Sequence, residues 1–205
     1  GKLSDTFAEA LEDYPSTAAF HDSESCVDYT EDIYVGYRYF ETMPGAAEKV
    51  NYPFGYGLSY TSFQIDQGEA FGEDGTYTLP VTVTNTGKKE GKEVVQIYGQ
   101  APQGKLGKPA RVLIAFEKTR ELKPGESQVL SVDFSIDTLA SYDDLGEVCK
   151  SAYVLEAGEY RVFAGNSVRD VKEAGSFGID RVQVLETCTQ ALAPVRAFRR
   201  MKPQK

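Results

Sequence analysis

Catalysis by side chains needs acids, nucleophiles or metal ligands in matched sets, and this chain offers few candidates. Its single histidine, His21, lies in the polar stretch Phe20-His-Asp-Ser-Glu, so a Ser-His-Asp triad or a His-based metal site would have to be built around one solvated loop residue. Cys26, Cys149 and Cys188 are widely separated and show no Cys-x-x-Cys or Cys/His spacing, which points to idle or buried thiols rather than a zinc site or a disulfide framework. Glu31 and Asp32 are the least ordinary acids, because they adjoin the aromatic, Arg-containing run from Ile33 to Phe40. The expected role of these two is structural, either pairing with Arg38 or capping a helix start. Gly55 and Gly57 bracket Tyr56 like half of a phosphate-cradling loop, yet no strand-to-helix context or following Lys supports that chemistry, and a tight turn is expected instead. No catalytic, cofactor-binding or metal-ligating residue is nominated.

Binding chemistry has two further candidates. Tyr52, Phe54, Tyr56 and Tyr60 have the ring faces that stack on sugars, but aromatics at a domain junction more often form interface core, and core is expected here. The loop Ala101-Pro-Gln-Gly-Lys-Leu-Gly-Lys-Pro109 has Gly and Pro but no regular period and reads as mobile. With 31 acidic against 22 basic residues the formal net charge is −9, which argues against a phosphate-neutralising surface and hence against nucleic acid as a partner. The basic cluster Arg196, Arg199, Arg200, Lys202 and Lys205 departs from this balance and belongs to a different environment. No apolar run approaches the roughly 20 residues that span a bilayer, so no membrane association is expected. The odd number of thiols leans towards a reducing compartment.

The elements that must position these groups divide the chain. Residues 1–59 contain a short helical stretch over 6–12, a polar loop and the aromatic run 29–40, and they cannot enclose a core of their own. That run is apolar on nearly every side, as in a segment packed within a larger α/β body whose other parts lie upstream of Gly1. From Tyr60 the texture changes to alternating strands and turn signals, the pattern of an all-β sandwich of roughly seven strands. Tyr77, Leu79, Val81 and Val83 alternate with Thr78, Thr82 and Thr84, so one face is core and the other wet. The turn Asn85-Thr-Gly-Lys-Lys-Glu-Gly91 then suggests a hairpin to a second buried strand at Val94–Tyr98. Further strands are predicted over 111–118, 128–135, 160–165 and 177–185, with Lys123-Pro-Gly125 and Glu156-Ala-Gly158 as turns. The predicted division is 1–59, 60–186 and 187–205, the last a linker or the start of a further domain.

Three ordered motifs carry a family resemblance. Tyr52-Pro-Phe-Gly-Tyr-Gly-Leu-Ser-Tyr-Thr61 resembles the Phe-Gly-x-Gly-Leu-Ser-Tyr-Thr signature that joins the α/β sandwich domain of family 3 glycoside hydrolases to their fibronectin type III-like domain. Gly1-Lys-Leu-Ser-Asp-Thr-Phe7 is similar to the family's Gly-Lys-Leu-Pro-x-Thr-Phe stretch, with Ser4 in place of Pro. Tyr29-Thr-Glu-Asp-Ile-Tyr-Val-Gly-Tyr-Arg-Tyr-Phe40 is similar to its Tyr-x-Glu-x-x-x-Val-Gly-Tyr-Arg-Tyr segment. Val81-Thr-Val-Thr-Asn-Thr-Gly87, residues 118–125 and Ala157-Gly-Glu-Tyr-Arg-Val-Phe-Ala-Gly165 extend the resemblance into the fibronectin-like part, to about residue 185.

The resemblance implies a mainly β fold: a fibronectin type III-like, immunoglobulin-like β-sandwich preceded by the tail of an α/β sandwich domain. It implies a parent β-glucosidase-type enzyme that cleaves terminal β-glycosidic bonds by a retaining mechanism, with an Asp nucleophile on a barrel domain and a Glu acid/base often on the α/β domain. Retaining chemistry needs two carboxyl groups about 5–5.5 Å apart, and both motifs fall outside this segment, which is expected to be inactive alone and to need no cofactor or metal. The implied partners are the barrel and α/β domains of the parent and its carbohydrate substrate, with a homo-oligomer left open. Some family members place the barrel after the sandwich, and Ala191-Leu-Ala-Pro-Val-Arg-Ala-Phe198 reads as a lead into one or as a frayed end. In the family-3 setting the loop 101–109 could reach towards the active-site rim. Two alternatives stand beside this reading: a carbohydrate- or protein-binding fibronectin-like module acting alone, favoured by an exposed aromatic stripe on one sheet face, and one subunit of a split enzyme.

Overall fold

A computed structural model describes residues 1–20, 23–73, 75–195 and 199–203; His21 lies outside the described residues. The first elements are short: β1 (Phe7–Ala8), two 3-10 turns (Leu11–Asp13 and Pro15–Ala18), α1 (Tyr37–Phe40), a 3-10 turn (Ala47–Lys49) and β2 (Val50–Tyr52). The helix expected over 6–12 does not form. Phe7 and Ala8 pair with Tyr52 and Val50 instead, the Tyr14 hydroxyl accepts from Ala8 N and donates to Thr6 O, and Pro15 holds Tyr14 in the extended region.

The sandwich follows with β3 (Phe63–Gln67), β4 (Phe71–Glu73), β5 (Thr76–Asn85), β6 (Val94–Gln100), β7 (Val112–Lys118), β8 (Ser127–Ser135), β9 (Ser141–Asp143), β10 (Ala152–Leu155), β11 (Gly158–Gly165), β12 (Val171–Ile179) and β13 (Gln183–Thr187). β5 pairs with β8 along 76–84, while β3 meets it at 81–85 and β4 at 76–78. The opposing sheet has the order β12-β11-β6-β7, and β13-β10-β9 form a smaller third sheet. All these pairings are antiparallel, so alternate side chains can be divided cleanly between core and surface.

Period-two patterning builds the core as the sequence reading anticipates for β5. Leu79, Val81 and Val83 from β5 meet Leu130, Val132 and Phe134 from β8, facing Val95 and Ile97 from β6 and Val162 and Ala164 from β11. At one end, stacked rings continue the core from Phe134 through Tyr77 and Phe177 to Tyr160, with centroids 5.3–5.7 Å apart. The expected β5–β6 hairpin is an arch between sheets, because the apolar sides of the two strands face each other across the core rather than lying side by side. Buried Asn85 shapes this arch. Its Nδ2 donates to Lys89 O and Leu122 O, and its Oδ1 accepts from the Thr61 hydroxyl and Gly87 N. The single strand expected over 177–185 is also two: β12 ends at buried Ile179, and the chain crosses to the third sheet before β13 begins.

Candidate docking interface

Most strands of an antiparallel sandwich leave one face to solvent. β6 does not: residues Val95 to Gly99 are all buried, so both of its faces are covered. Inside lie Val95 and Ile97, and outside lie Gln96 and Tyr98, under the segment 34–56. The Tyr37 ring on α1 packs 4.7 Å from Phe54 and 6.1 Å from Tyr98 between centroids, forming a second apolar cluster with Phe163, Val168, Leu113 and Val171. The expectation that the aromatic run finds its partners upstream of Gly1 is therefore corrected in part: Tyr37 packs on the sandwich itself.

Polar contacts set the register of this interface. The Tyr37 hydroxyl accepts from Leu113 N at 2.8 Å and the Thr42 hydroxyl from Ala110 N at 2.8 Å, each relieving a β7-side amide of an open valence. Phe54 O accepts from Val168 N at 3.0 Å, Arg169 donates to the Glu41 carboxylate at 2.8 Å and to Ala47 O at 2.9 Å, and Lys2 lies 3.1 Å from Glu93. Beneath them the Tyr98 hydroxyl donates to Gln96 Oε1 while Gln96 Nε2 donates to Asn166 O at 2.9 Å. Burial pushes the Tyr98 phenol far above its ordinary range, so it stays a donor.

The expected tight turn at Gly55 is present: Tyr56 N bonds Pro53 O at 3.0 Å, and Gly55 adopts φ +82°. A Cβ at Gly55 would meet the Gln96 amide at 2.6 Å and Ser167 Cα at 2.8 Å, so only glycine lets the backbone approach β6 this closely. The aromatics singled out beside it divide. Phe54 is interface core as expected and Tyr56 is half-buried against Tyr52 at 5.1 Å, whereas Tyr52 is itself exposed and Tyr60 is 98% exposed, so neither is core here.

Other candidates have different partners from those expected. Asp32, at φ +52°, lies 3.5 Å from Arg200 rather than on Arg38, and α1 is preceded by Gly36 with no side-chain cap. Of the basic cluster, Arg200 folds back onto the Asp144 carboxylate and its neighbour Met201 bonds through N to Thr30 O at 2.7 Å, while Arg196 and Lys205 lie outside the described residues. Cys26, Cys149 and Cys188 form no disulfide with one another, Cys26 being exposed and the other two half-buried. The loop 101–109 is pinned rather than free. Lys108 is 2% exposed, its ammonium donates to the Ser141 hydroxyl and lies 3.5 Å from the Glu156 carboxylate, and Glu156 also accepts from Lys105 N and Leu106 N. Burial lowers the Lys108 pKa, with Glu156 opposing the shift. Sequence reasoning missed Gln96, Arg169 and the Lys108–Glu156 pair. A glutamine inside the apolar run Val94–Tyr98 is the one signal that a polar partner lay across that strand.

The fibronectin type III-like domain family matches residues 93–168, which run from the edge of β6 to the loop that meets Phe54. β-Glucosidase A of Butyrivibrio fibrisolvens is 53% identical over 217 residues, covering 98% of this chain. A β-glucosidase from Paenibacillus barengoltzii superimposes over 100% of it, with a TM-score of 0.94 and 49% identity, and the GH3 β-glucosidase of Bifidobacterium adolescentis over 95%, with a TM-score of 0.77 and 32% identity. Over nearly its whole length the chain is therefore similar to one part of these β-glucosidases. It spans about a quarter of these relatives, 26% of the Butyrivibrio protein and 23% and 28% of the two solved chains. The family 3 likeness covers the docked segment and the sandwich together.

Proposed function

We propose that this chain is the non-catalytic carboxyl-side portion of a β-glucosidase-like family 3 enzyme that hydrolyses terminal β-glycosidic bonds in carbohydrate metabolism. Its role is to hold residues 1–59, the tail of an α/β domain, rigidly on a fibronectin-like sandwich of residues 60–186. Residues 187–205 are a linker or the start of a further domain. The nucleophile and the acid/base of the retaining mechanism reside on the barrel and the remainder of the α/β domain, which are this segment's partners. The observation that carries the reading is the covered outer face of β6. A sandwich held to residues Lys2, Tyr37, Glu41, Thr42, Ala47 and Phe54 through six named polar contacts serves as a foundation rather than as a free recognition surface.

The alternative, a binding module acting alone, needs an exposed aromatic stripe. The outer face of the β5–β8 pair carries Thr78, Thr82, Thr84, Ser127, Val129, Ser131 and Asp133, cross-linked by Thr78 to Asp133 at 2.6 Å and Thr84 to Ser127 at 2.8 Å. One exposed ring, Phe71 of β4, adjoins that polar ladder at Thr78, and a single ring is not a stripe. The test is hydrolysis of a chromogenic aryl β-glucoside by this chain alone and after mixing with the remaining domains. Activity in the mixture alone is expected, and turnover by the purified chain would overturn the assignment.

A further inference from the structure

A cleft of about 710 Å³ opens between four segments: the stretch around Tyr29, the 101–109 loop, the loop after β9, and the carboxyl-terminal arm. The cations that line it differ in what they hold. Lys108 is matched by Glu156, while Arg38, Lys105 and Lys202 make no ion pair among the described residues. Arg200 ties two walls together. Its guanidinium donates to the Asp144 carboxylate in the loop after β9, one of the two bonds at 3.1 Å, and lies 3.5 Å from the Asp32 carboxylate in the amino-terminal stretch. The next residue fastens the same joint, Met201 N donating to Thr30 O at 2.7 Å.

This joint holds opposed tendencies. With Arg200 in place, two carboxylates share one guanidinium; with it withdrawn they face each other as like charges and repel. Asp32 also sits at φ +52°, in the left-handed region that an L-residue adopts at a cost, so the stretch has backbone strain to release as well. The attraction that offsets both is open to mobile ions, because the Arg200, Asp144 and Asp32 side chains are 20%, 23% and 36% exposed. Little else holds the arm nearby: Ala191 to Val195 are exposed, Leu192 at 96% and Val195 at 102%, and make no hydrogen bond among the described residues. Fastening that rests on one screened cation, set against repulsion and strain, has two available states.

We propose that residues 199–203 are a latch released by ionic strength: Arg200 clasped between Asp32 and Asp144 shuts one side of the cleft, and added salt frees the segment and opens the cleft to solvent. The latch goes beyond the supporting role proposed above and does not depend on hydrolysis. Its test is hydrogen exchange at the Met201 amide of the isotopically labelled chain, read by NMR in about 0.05 M and about 1 M sodium chloride, between which the screening length falls severalfold. The amide of exposed Leu192, which makes no hydrogen bond, corrects for the effect of salt on the exchange chemistry. Met201 should exchange roughly 3- to 30-fold faster in high salt, the range that two partly exposed ion pairs produce, while the amides of β5 and β8 keep their protection. Arg200→Gln should exchange in low salt at least as fast as the parent chain does in high salt, and should respond to salt by less than about twofold. Three results would each overturn the proposal: a parent chain whose Met201 amide responds to salt by less than about twofold, one whose Met201 amide exchanges as fast as Leu192 already in low salt, or an Arg200→Gln variant that keeps the parent's low-salt protection. Because no turnover is read, an unresponsive Met201 leaves the β-glucosidase reading where it stands, and failed reconstitution of activity leaves the latch untouched.

Discussion

Gly55→Ala isolates the packing that joins the amino-terminal segment to the sandwich. Two penalties fall on the new methyl group. At φ +82° an L-residue sits in the left-handed region, which costs roughly 1–2 kcal/mol, and the Cβ lands 2.6 Å from the Gln96 amide and 2.8 Å from Ser167 Cα. Gln96 cannot simply swing aside, because it holds Asn166 O and receives the Tyr98 hydroxyl, and Ser167 Cα is backbone. Overpacking of this kind costs about 1–3 kcal/mol more. Gly45→Ala supplies the control: Gly45 lies in the same segment at φ +74° with nothing within 4 Å of its would-be Cβ, so it carries the strain without the clash.

The assay is hydrogen exchange at amides that exist as donors only across the interface, namely Val168 to Phe54 O, Leu113 to the Tyr37 hydroxyl and Ala110 to Thr42. The extra about 1–3 kcal/mol should make these amides exchange roughly 5- to 150-fold faster in Gly55→Ala than in Gly45→Ala, while β5 and β8 amides stay protected. Equal protection in the two variants would refute the reasoning, since it would mean that the segment does not bear on β6 through this glycine.

Asn85→Leu removes an amide that satisfies two carbonyls, a hydroxyl and a backbone N–H inside the arch, and should cost about 3 kcal/mol or more in urea unfolding; a loss under about 1 kcal/mol would deny the arch its keystone. Lys108→Met and Glu156→Met should each cost about 3–5 kcal/mol by stranding the other charge, and the double variant should lose clearly less than their sum; simple additivity would show that the pair is not coupled. Burial raises the phenols of Tyr34, Tyr98 and Tyr160, the last to about 12. Their protonated forms favour the fold, so the stability they contribute is complete below pH 10 and lost as pH climbs from 10 towards 12. Ultraviolet titration should show these tyrosines ionising together with unfolding; independent ionisation in the folded chain would contradict the buried donors.

Patterns with a local cause were legible. The alternation in β5 follows from one wet and one buried face, and the Gly55 turn from a positive φ, and both can be read from neighbouring residues. What was not legible required knowledge of what lies opposite. Asn85 to Gly91 has the composition of a hairpin turn, but whether the next strand pairs beside β5 or across from it depends on the second sheet. Pinning of 101–109 is invisible for the same reason: Gly and Pro describe the loop's own freedom, whereas the restraint comes from Glu156, about 50 residues away. The failed helix at 6–12 is a case of tertiary override, since pairing with Val50 and Tyr52 offered its backbone a partner that propensity does not count.

The chemistry of the two sandwich faces decides between support and recognition more firmly than the fold does, because fibronectin-like sandwiches serve both ends. Along β5 the outward positions are threonines and Pro80, with Thr78 and Thr84 hydrogen-bonded across to Asp133 and Ser127. Along β6 the outward positions are Gln96 and Tyr98, a buried amide and a buried phenol that satisfy each other and Asn166. A free surface would not retain that pair: exposed to water, neither group would gain from the other, and the tyrosine ring would present apolar area to solvent. Placing such residues on an outward face makes sense only if that face is permanently covered, and Tyr37, Phe54 and Gly55 are what cover it. The outward face of β6 is therefore built as a fixed joint.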